Sequence, residues 1–376
     1  MIKLTHLITD LDVGGAERML QKMLARHDSS RFDVQVISLT DVGGVGKEIE
    51  KLGIPVRGLG MRAGLPDPLA VLRLTRWLRQ DRPRLLQTWM YHADLLGGLA
   101  ARLAGGIPTL WNVRHTNLDP RSNKAGTIRM ARACAVMSRW LPSRIVSCSE
   151  ASKRSHVTIG YSENKMTVIP NGFDLDTFRP DPSARASVRA ELGIPEETPL
   201  VGLIGRFHPE KDHQGFVAAA GHLSALLSNV HYLLCGQGVT RDNPELAGWI
   251  ASTGARDRWH LLGLRADIPR LMAALDVLVS SSVGEGFPNV LGEAMACGVP
   301  CVVTDVGDSA WIVGDTGKVV PPRAPLVLAD ACAGVLTTSS IDRQRLGLAA
   351  RARVEQNFSL PAIVDRYERL YMELAA

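Results

Sequence analysis

Two carboxylates with seven residues between them, Glu285 and Glu293, stand where this sequence most clearly invites chemistry. The run is Gly284-Glu285-Gly286-Phe287-Pro288-Asn289-Val290-Leu291-Gly292-Glu293-Ala294-Met295-Ala296-Cys297-Gly298. Glycines on both sides of Glu285 predict a turn, Pro288 suits a first helical turn, and Gly298 suits a C-terminal cap. The helix start would offer the backbone N–H groups of Asn289, Val290 and Leu291 to an anion. Glu285 falls in the loop. Glu293 falls one turn in, buried in the apolar pattern, where a carboxylate is costly without a partner. Carboxylates so placed can accept hydrogen bonds from separate hydroxyls of one sugar-nucleotide. The alternative is that Glu293 satisfies a neighbouring backbone N–H.

Two further segments could meet an anion. In Gly205-Arg206-Phe207-His208-Pro209-Glu210-Lys211-Asp212, a short loop would bring Arg206 and Lys211 onto one diphosphate, each charge-assisted bond contributing about 1.5–3 kcal/mol. Solvated basic residues on a loop read the same way. In Asp12-Val13-Gly14-Gly15-Ala16-Glu17, paired glycines let a backbone approach a ligand closely at a helix start. No Gly-x-Gly-x-x-Gly is present here, and a tight strand-to-helix turn without a ligand fits equally.

The elements that must position these residues alternate regularly. Short apolar runs at 4–8, 34–39, 85–88, 109–113, 145–147 and 167–169 predict strands, separated by amphipathic helical patterns. The second half repeats the plan with strands at 200–204, 231–235, 259–262, 277–280, 300–303 and 318–320. Such alternation predicts an α/β chain with parallel sheets covered by helices on both faces. At 376 residues, two domains are expected. The Pro/Gly-rich stretch from Pro170-Asn171-Gly172 to Pro182 places the boundary, giving domains 1–172 and 173–357. A final amphipathic helix carries Ile363, Tyr367, Leu370 and Tyr371.

Charge divides unevenly. Through Phe178 there are 25 Lys+Arg against 16 Asp+Glu, and afterwards 18 against 22. The basic excess clusters at Arg73, Arg76, Arg79, Arg82 and Arg84, and at Arg121, Lys124, Arg129, Arg132, Arg139 and Arg144. These are either solvated helix faces or a surface for anionic headgroups or a phosphorylated acceptor. Nucleic acid ranks last, since no base-reading module accompanies the charge. The six cysteines form no CxxC pair and predict reduced, mostly buried thiols in a cytoplasmic protein. The first twelve residues do not read as a signal peptide, and no run approaches the length of a membrane span. Contact with the inner face of a membrane would be peripheral.

Read together, these motifs resemble the family 4 glycosyltransferases, a retaining group with the two-domain GT-B fold. The resemblance rests on Gly14-Gly15-Ala16-Glu17, Ile169-Pro170-Asn171-Gly172-Phe173-Asp174, the Arg206–Asp212 segment, and Glu285 with Glu293 continuing into Ala294-Met295-Ala296-Cys297-Gly298-Val299-Pro300. The four appear in the family's order across nearly the whole chain. The resemblance implies two Rossmann-like domains facing across a cleft, the first on the acceptor side and the second binding the donor, with residues 358–376 packing back on the first. It implies that Gly14, Gly15, Arg206 and Lys211 hold the donor diphosphate. Glu285 would contact the transferred sugar, Glu293 the ribose, and Asn289, Val290 and Leu291 the phosphate and sugar. His115, in Trp111-Asn112-Val113-Arg114-His115-Thr116-Asn117, aligns with a histidine placed beside the donor sugar, although a strand-end histidine satisfied by backbone is its plain reading. Leu264 and Arg265 would line the base pocket.

The implied activity moves a sugar from a nucleotide-diphosphate sugar, UDP-linked by family frequency, to a glycan or polyprenyl-linked acceptor in cell-surface polysaccharide synthesis. No cofactor or metal is expected, because cations and helix starts would neutralise the departing diphosphate. The alternatives are another GT-B enzyme, such as a sugar-nucleotide epimerase, and a non-catalytic nucleotide-sugar binding protein.

Overall fold

The computed structural model describes residues 1–12, 14–62, 67–115, 118 and 124–376. Val13 of the glycine loop, Thr116 and Asn117 beside His115, and Arg121 of the basic cluster lie outside the described residues. The chain divides into two units, Met1–Gly172 with Leu360–Ala376, and Phe173–Ser359.

Among the described residues, unit 1 is built on seven strands: β1 (Ile2–Ile8), β2 (Phe32–Ser38), β3 (Val56–Gly58), β4 (Leu85–Trp89), β5 (Thr109–Val113), β6 (Arg144–Ser147) and β7 (Met166–Val168). They pair in the order β3-β2-β1-β4-β5-β6-β7, every pair parallel. β4 and β5 are buried at every position, as strands covered on both faces must be. β3 was not expected from the sequence. Its three half-buried residues, Val-Arg-Gly, form no apolar run, and only pairing with β2 in the register Val36↔Val56 makes them a strand.

The last helix, Leu360–Ala375, belongs to this unit. Ile363, Tyr367 and Tyr371 pack with Leu4, Ile8, Leu20 and Phe32 on one face of the sheet. Each such side chain removed from water contributes on the order of 1.5–3 kcal/mol. The buried hydroxyls are also partnered: Tyr371 Oη donates to Gln87 Oε1, and Asn112 Nδ2 donates to Tyr367 Oη at 3.2 Å.

Unit 2 has six strands: β8 (Leu200–Ile204), β9 (His231–Cys235), β10 (Trp259–Leu261), β11 (Val277–Ser280), β12 (Cys301–Thr304) and β13 (Lys318–Val320). They pair, again all parallel, as β10-β9-β8-β11-β12-β13. Two apolar clusters cover the sheet's faces, one including Leu200, Leu278, Leu291 and Phe358, the other Val201, Tyr232, Val279 and Leu328.

This topology decides where ligands can sit. In each sheet the chain starts in the middle, runs to one edge, returns, and runs to the other. The loops leaving the two central strands therefore diverge, and open α/β sheets bind ligands in that opening at the carboxyl ends. In unit 1 the opening lies between β1 and β4, in unit 2 between β8 and β11.

Candidate active site

In unit 2 the two strands that flank the opening carry the residues singled out from sequence. β8 runs into Gly205–Asp212, and β11 runs into Ser281–Pro288. Lys211 is the last residue of a single turn, Pro209–Lys211, and Asp212 turns the chain in a left-handed conformation (φ 47°) before helix His213–Leu226. The Asp212 carboxylate accepts from Gly215 N at 3.0 Å and so caps that helix. The result brings Lys211 Nζ onto Glu285 Oε1 as an ion pair, with the carboxylate only 12% exposed.

Glu285 has a second donor that sequence reasoning missed. Ser282 Oγ lies 2.7 Å from the same Oε1. The Ser282 carbonyl in turn accepts from Thr304 Oγ1 at 2.5 Å, at the end of β12. Behind the loop, Asp308 N donates to Gly286 O at 3.0 Å, and a Cβ on Gly307 (φ 58°) would fall 2.4 Å from Glu285 O. Only glycine lets the β12 exit approach that closely. A lone serine or glycine in a loop carries no spacing signal, which is why neither was legible.

Three expectations are corrected by the geometry. Pro288 is not in the first helical turn: its ψ of 100° is extended, and the helix is Asn289–Ala296. The Leu291 N–H is not open to an anion, because the tight first turn directs it to Pro288 O at 3.2 Å. Glu293 is half-buried rather than enclosed, since the apolar pattern places its neighbours Gly292 and Ala294 inward and leaves it at the helix flank. Arg206 and Asn289 are exposed, and Val290 is half-buried. The C-terminal Gly298 does adopt the left-handed conformation of a helix stop (φ 73°).

Leu264 and Arg265 follow β10, two strands away from β8. Leu264 is 79% exposed. The Arg265 guanidinium binds Asp267 through two nitrogens, at 2.8 and 2.7 Å, and Glu191 at 2.8 Å. The Arg265 guanidinium first, and after it that of Arg270 at 2.9 Å, hold the Asp267 carboxyl well below its usual range.

In unit 1 the loop after β1 leads into helix Gly15–Leu24, with Gly14 as its extended cap residue. A Cβ on Gly14 would meet Glu17 Oε2 at 2.2 Å, whereas one on Gly15 would have open space around it. Glu17 folds against this helix start, and burial first of all raises its carboxyl above the usual range. Across the opening, Met90 leaves β4 at φ 74°, a strained conformation for a non-glycine residue. His115 stands two residues beyond β5, with its carbonyl accepting from Ser152 Oγ at 2.8 Å and its ring edge-on to Tyr91 at 6.3 Å. Tyr91 Oη in turn lies 2.8 Å from Nε2 of the buried His156.

The basic residues of unit 1 are arranged as well as abundant. Lys124, Arg129, Arg132, Arg139 and Trp140 are exposed on and beside helix Ala125–Met137, with Val136 between them 60% exposed. Among the described residues no helix is long and apolar enough to cross a membrane, and no three His, Cys, Asp or Glu side chains gather as metal ligands do. All six cysteines are buried and unpaired, and burial pushes the Cys332 thiol up to about 12.

Comparison with known proteins agrees with this fold. Residues 13–177 match Glycosyltransferase Family 4, and residues 198–338 match Glycosyl transferases group 1. The D-inositol 3-phosphate glycosyltransferase of Salinispora arenicola is 33% identical over 402 residues, covering 97% of this chain and 88% of that protein. The UDP-Gal:alpha-D-GlcNAc-diphosphoundecaprenol alpha-1,3-galactosyltransferase of Escherichia coli is 23% identical, covering 83% of this chain and 81% of its own. The crystal structure of Anabaena HepE in complex with UDP superposes with a TM-score of 0.85 at 25% identity, over 99% of this chain and 100% of HepE. The sequence motifs, the paired parallel sheets and these relatives together establish that the chain belongs to the family 4 glycosyltransferases of the GT-B type, hexosyltransferases acting on nucleotide sugars.

Proposed function

We propose that this glycosyltransferase transfers a hexose, with retention and without a metal, from a UDP-sugar to a lipid-linked or glycan acceptor in the synthesis of a surface polysaccharide. The observation that carries the reading is the Lys211–Glu285 pair at the opening between β8 and β11, where a cation and a carboxylate are held side by side. A sugar diphosphate bound there has one partner of each kind that it needs. Its phosphates take Lys211, Arg206 and the start of helix Asn289–Ala296, and a sugar hydroxyl takes Glu285. Glu293 is assigned the ribose and Leu264 with Arg265 the base. Unit 1 is assigned the acceptor side; Gly14 and Gly15 keep their assignment to the donor diphosphate, and His115 its assignment to the donor sugar. UDP is favoured because HepE was crystallised with UDP, and a UDP-galactose enzyme is among the relatives.

The step we favour breaks the anomeric C–O bond while the acceptor oxygen bonds to the same face of that carbon. The bonding pair leaves with the diphosphate, and the leaving phosphate oxygen takes the acceptor's proton. Lys211 and Arg206 neutralise charge that grows on the diphosphate as it departs, which is stabilisation specific to the transition state. A glycosyl-enzyme adduct trapped by mass spectrometry would overturn the same-face route.

The donor is tested by turnover and thermal shift against a panel of sugar nucleotides. Glu285→Ala is expected to lose nearly all transfer while UDP still binds. Loss of UDP affinity in that variant would refute the assignment of Glu285 to the sugar. The stripe of exposed Arg129, Arg132, Arg139 and Trp140 supports peripheral contact with anionic lipid. Flotation with phosphatidylglycerol vesicles but not phosphatidylcholine vesicles is the expected result.

A further inference from the structure

We infer that Ser282 positions Glu285 for the sugar, by holding one carboxylate oxygen so that the other is presented to a sugar hydroxyl. This rests on the assignment of Glu285 proposed above. Both donors found on the carboxylate, Ser282 Oγ and Lys211 Nζ, converge on Oε1. Among the described residues no donor is found on Oε2, which keeps its lone pairs for a ligand.

The two donors differ in how firmly they are held. Lys211 is an ammonium on a flexible four-carbon stem, 26% exposed, which a bound diphosphate would draw away from the carboxylate. Ser282 is 1% exposed and has nowhere to go. Thr304 Oγ1 ties the carbonyls of Ser282 and Ser280, at 2.5 and 3.2 Å, and Ser280 Oγ lies 3.5 Å from Ser282 Oγ. The neighbours of Glu285 are both glycine, so no adjacent side chain walls its rotamer. When the donor engages Lys211, the Ser282 hydroxyl is the contact that keeps Glu285 in place. Ser282 is a positioning residue in this scheme and does not touch the reacting atoms.

The test compares Ser282→Ala, Ser282→Cys and Glu285→Gln, using whichever sugar nucleotide of the panel is turned over fastest. Turnover and UDP affinity are measured separately. A hydrogen bond to a charged group lost only from the aligned complex predicts that kcat falls about 10- to 100-fold in Ser282→Ala. UDP affinity should stay within about two-fold. Ser282→Cys, of similar volume but a weak donor, should behave alike and carries the test if the alanine variant fails to fold. Should Ser282→Ala and Ser282→Cys keep kcat within about two-fold while Glu285→Gln is inactive, the inference is overturned and the role of Glu285 stands. If UDP affinity falls in parallel with kcat, Ser282 merely supports the loop, and the inference fails as well. Full turnover by Glu285→Gln removes the reading beneath it.

Discussion

Helix Asn289–Ala296, which carries Glu293, has a glycine at its centre, and the reason is a ring rather than the helix. A Cβ built on Gly292 would lie 2.1, 2.2 and 2.7 Å from three atoms of the Phe173 ring. Ordinary contact begins at 3.4 Å, so Gly292→Ala needs a ring displacement of about 1.3 Å. The ring has little room to give it. Phe173 is 2% exposed, stacks on Phe287 at 6.1 Å, and its N–H is bound to Phe358 O at 2.8 Å. Alanine would favour the helix by about 1 kcal/mol over glycine, while overpacking a rigid core costs about 1–3 kcal/mol. With the ring hemmed in, the upper part of that range applies and the net loss is about 1–2 kcal/mol. For a domain of this size that is a fall in Tm of about 2–8 °C. Gly334→Ala is the control, since Gly334 is exposed in helix Pro325–Leu336 and its added Cβ meets nothing within 4 Å. It should raise Tm by about 2–4 °C. Calorimetric melts of both variants, with the double variant Gly292→Ala/Phe173→Leu to relieve the ring, decide the matter. If Gly292→Ala stabilises as Gly334→Ala does, the steric argument is wrong.

Three further outcomes are expected. Asp276→Ala removes the counter-charge of the Arg189 guanidinium, which is 1% exposed, donates to Asp276 Oδ2 at 2.7 Å and would keep only carbonyl acceptors such as Thr198 O, so urea unfolding should show a loss of about 3–5 kcal/mol; a loss below about 1 kcal/mol would refute it. His156 is held neutral, its pKa lowered to about 4 chiefly by burial, with Nδ1–H facing Ser152 O at 2.7 Å and Nε2 accepting from Tyr91. The unfolded chain takes up that proton near 6.5 while the folded one does not, so stability present above pH 6.5 declines toward pH 4 by up to about 1.4 kcal/mol per unit. Urea unfolding of wild type and His156→Gln at pH 7.5 and 5 should show the shallower acid loss in the variant; equal slopes would sink the assignment. Transfer should persist undiminished in EDTA, and a chelator-sensitive rate restored by added divalent cation would overturn the metal-free step.

The amino-acid order by itself determined the repeating strand–helix plan and the parallel sheets, because strands buried on both faces are written as short apolar runs such as Leu200–Ile204. It also determined which side chains cluster at strand ends, since glycine, proline and charge punctuate those turns at Gly205–Lys211 and Gly284–Gly286. The three-residue strand Val56–Gly58 was invisible, because its conformation is imposed by a neighbour rather than by its own residues. The pairing of Lys211 with Glu285 was likewise beyond sequence, as was the hydroxyl of Ser282 that completes it. Lys211 and Glu285 lie far apart along the chain, and only the strand order β9-β8-β11-β12 makes their loops neighbours. Local patterns encode which element a residue belongs to; which two elements meet is decided by how the whole sheet buries its faces.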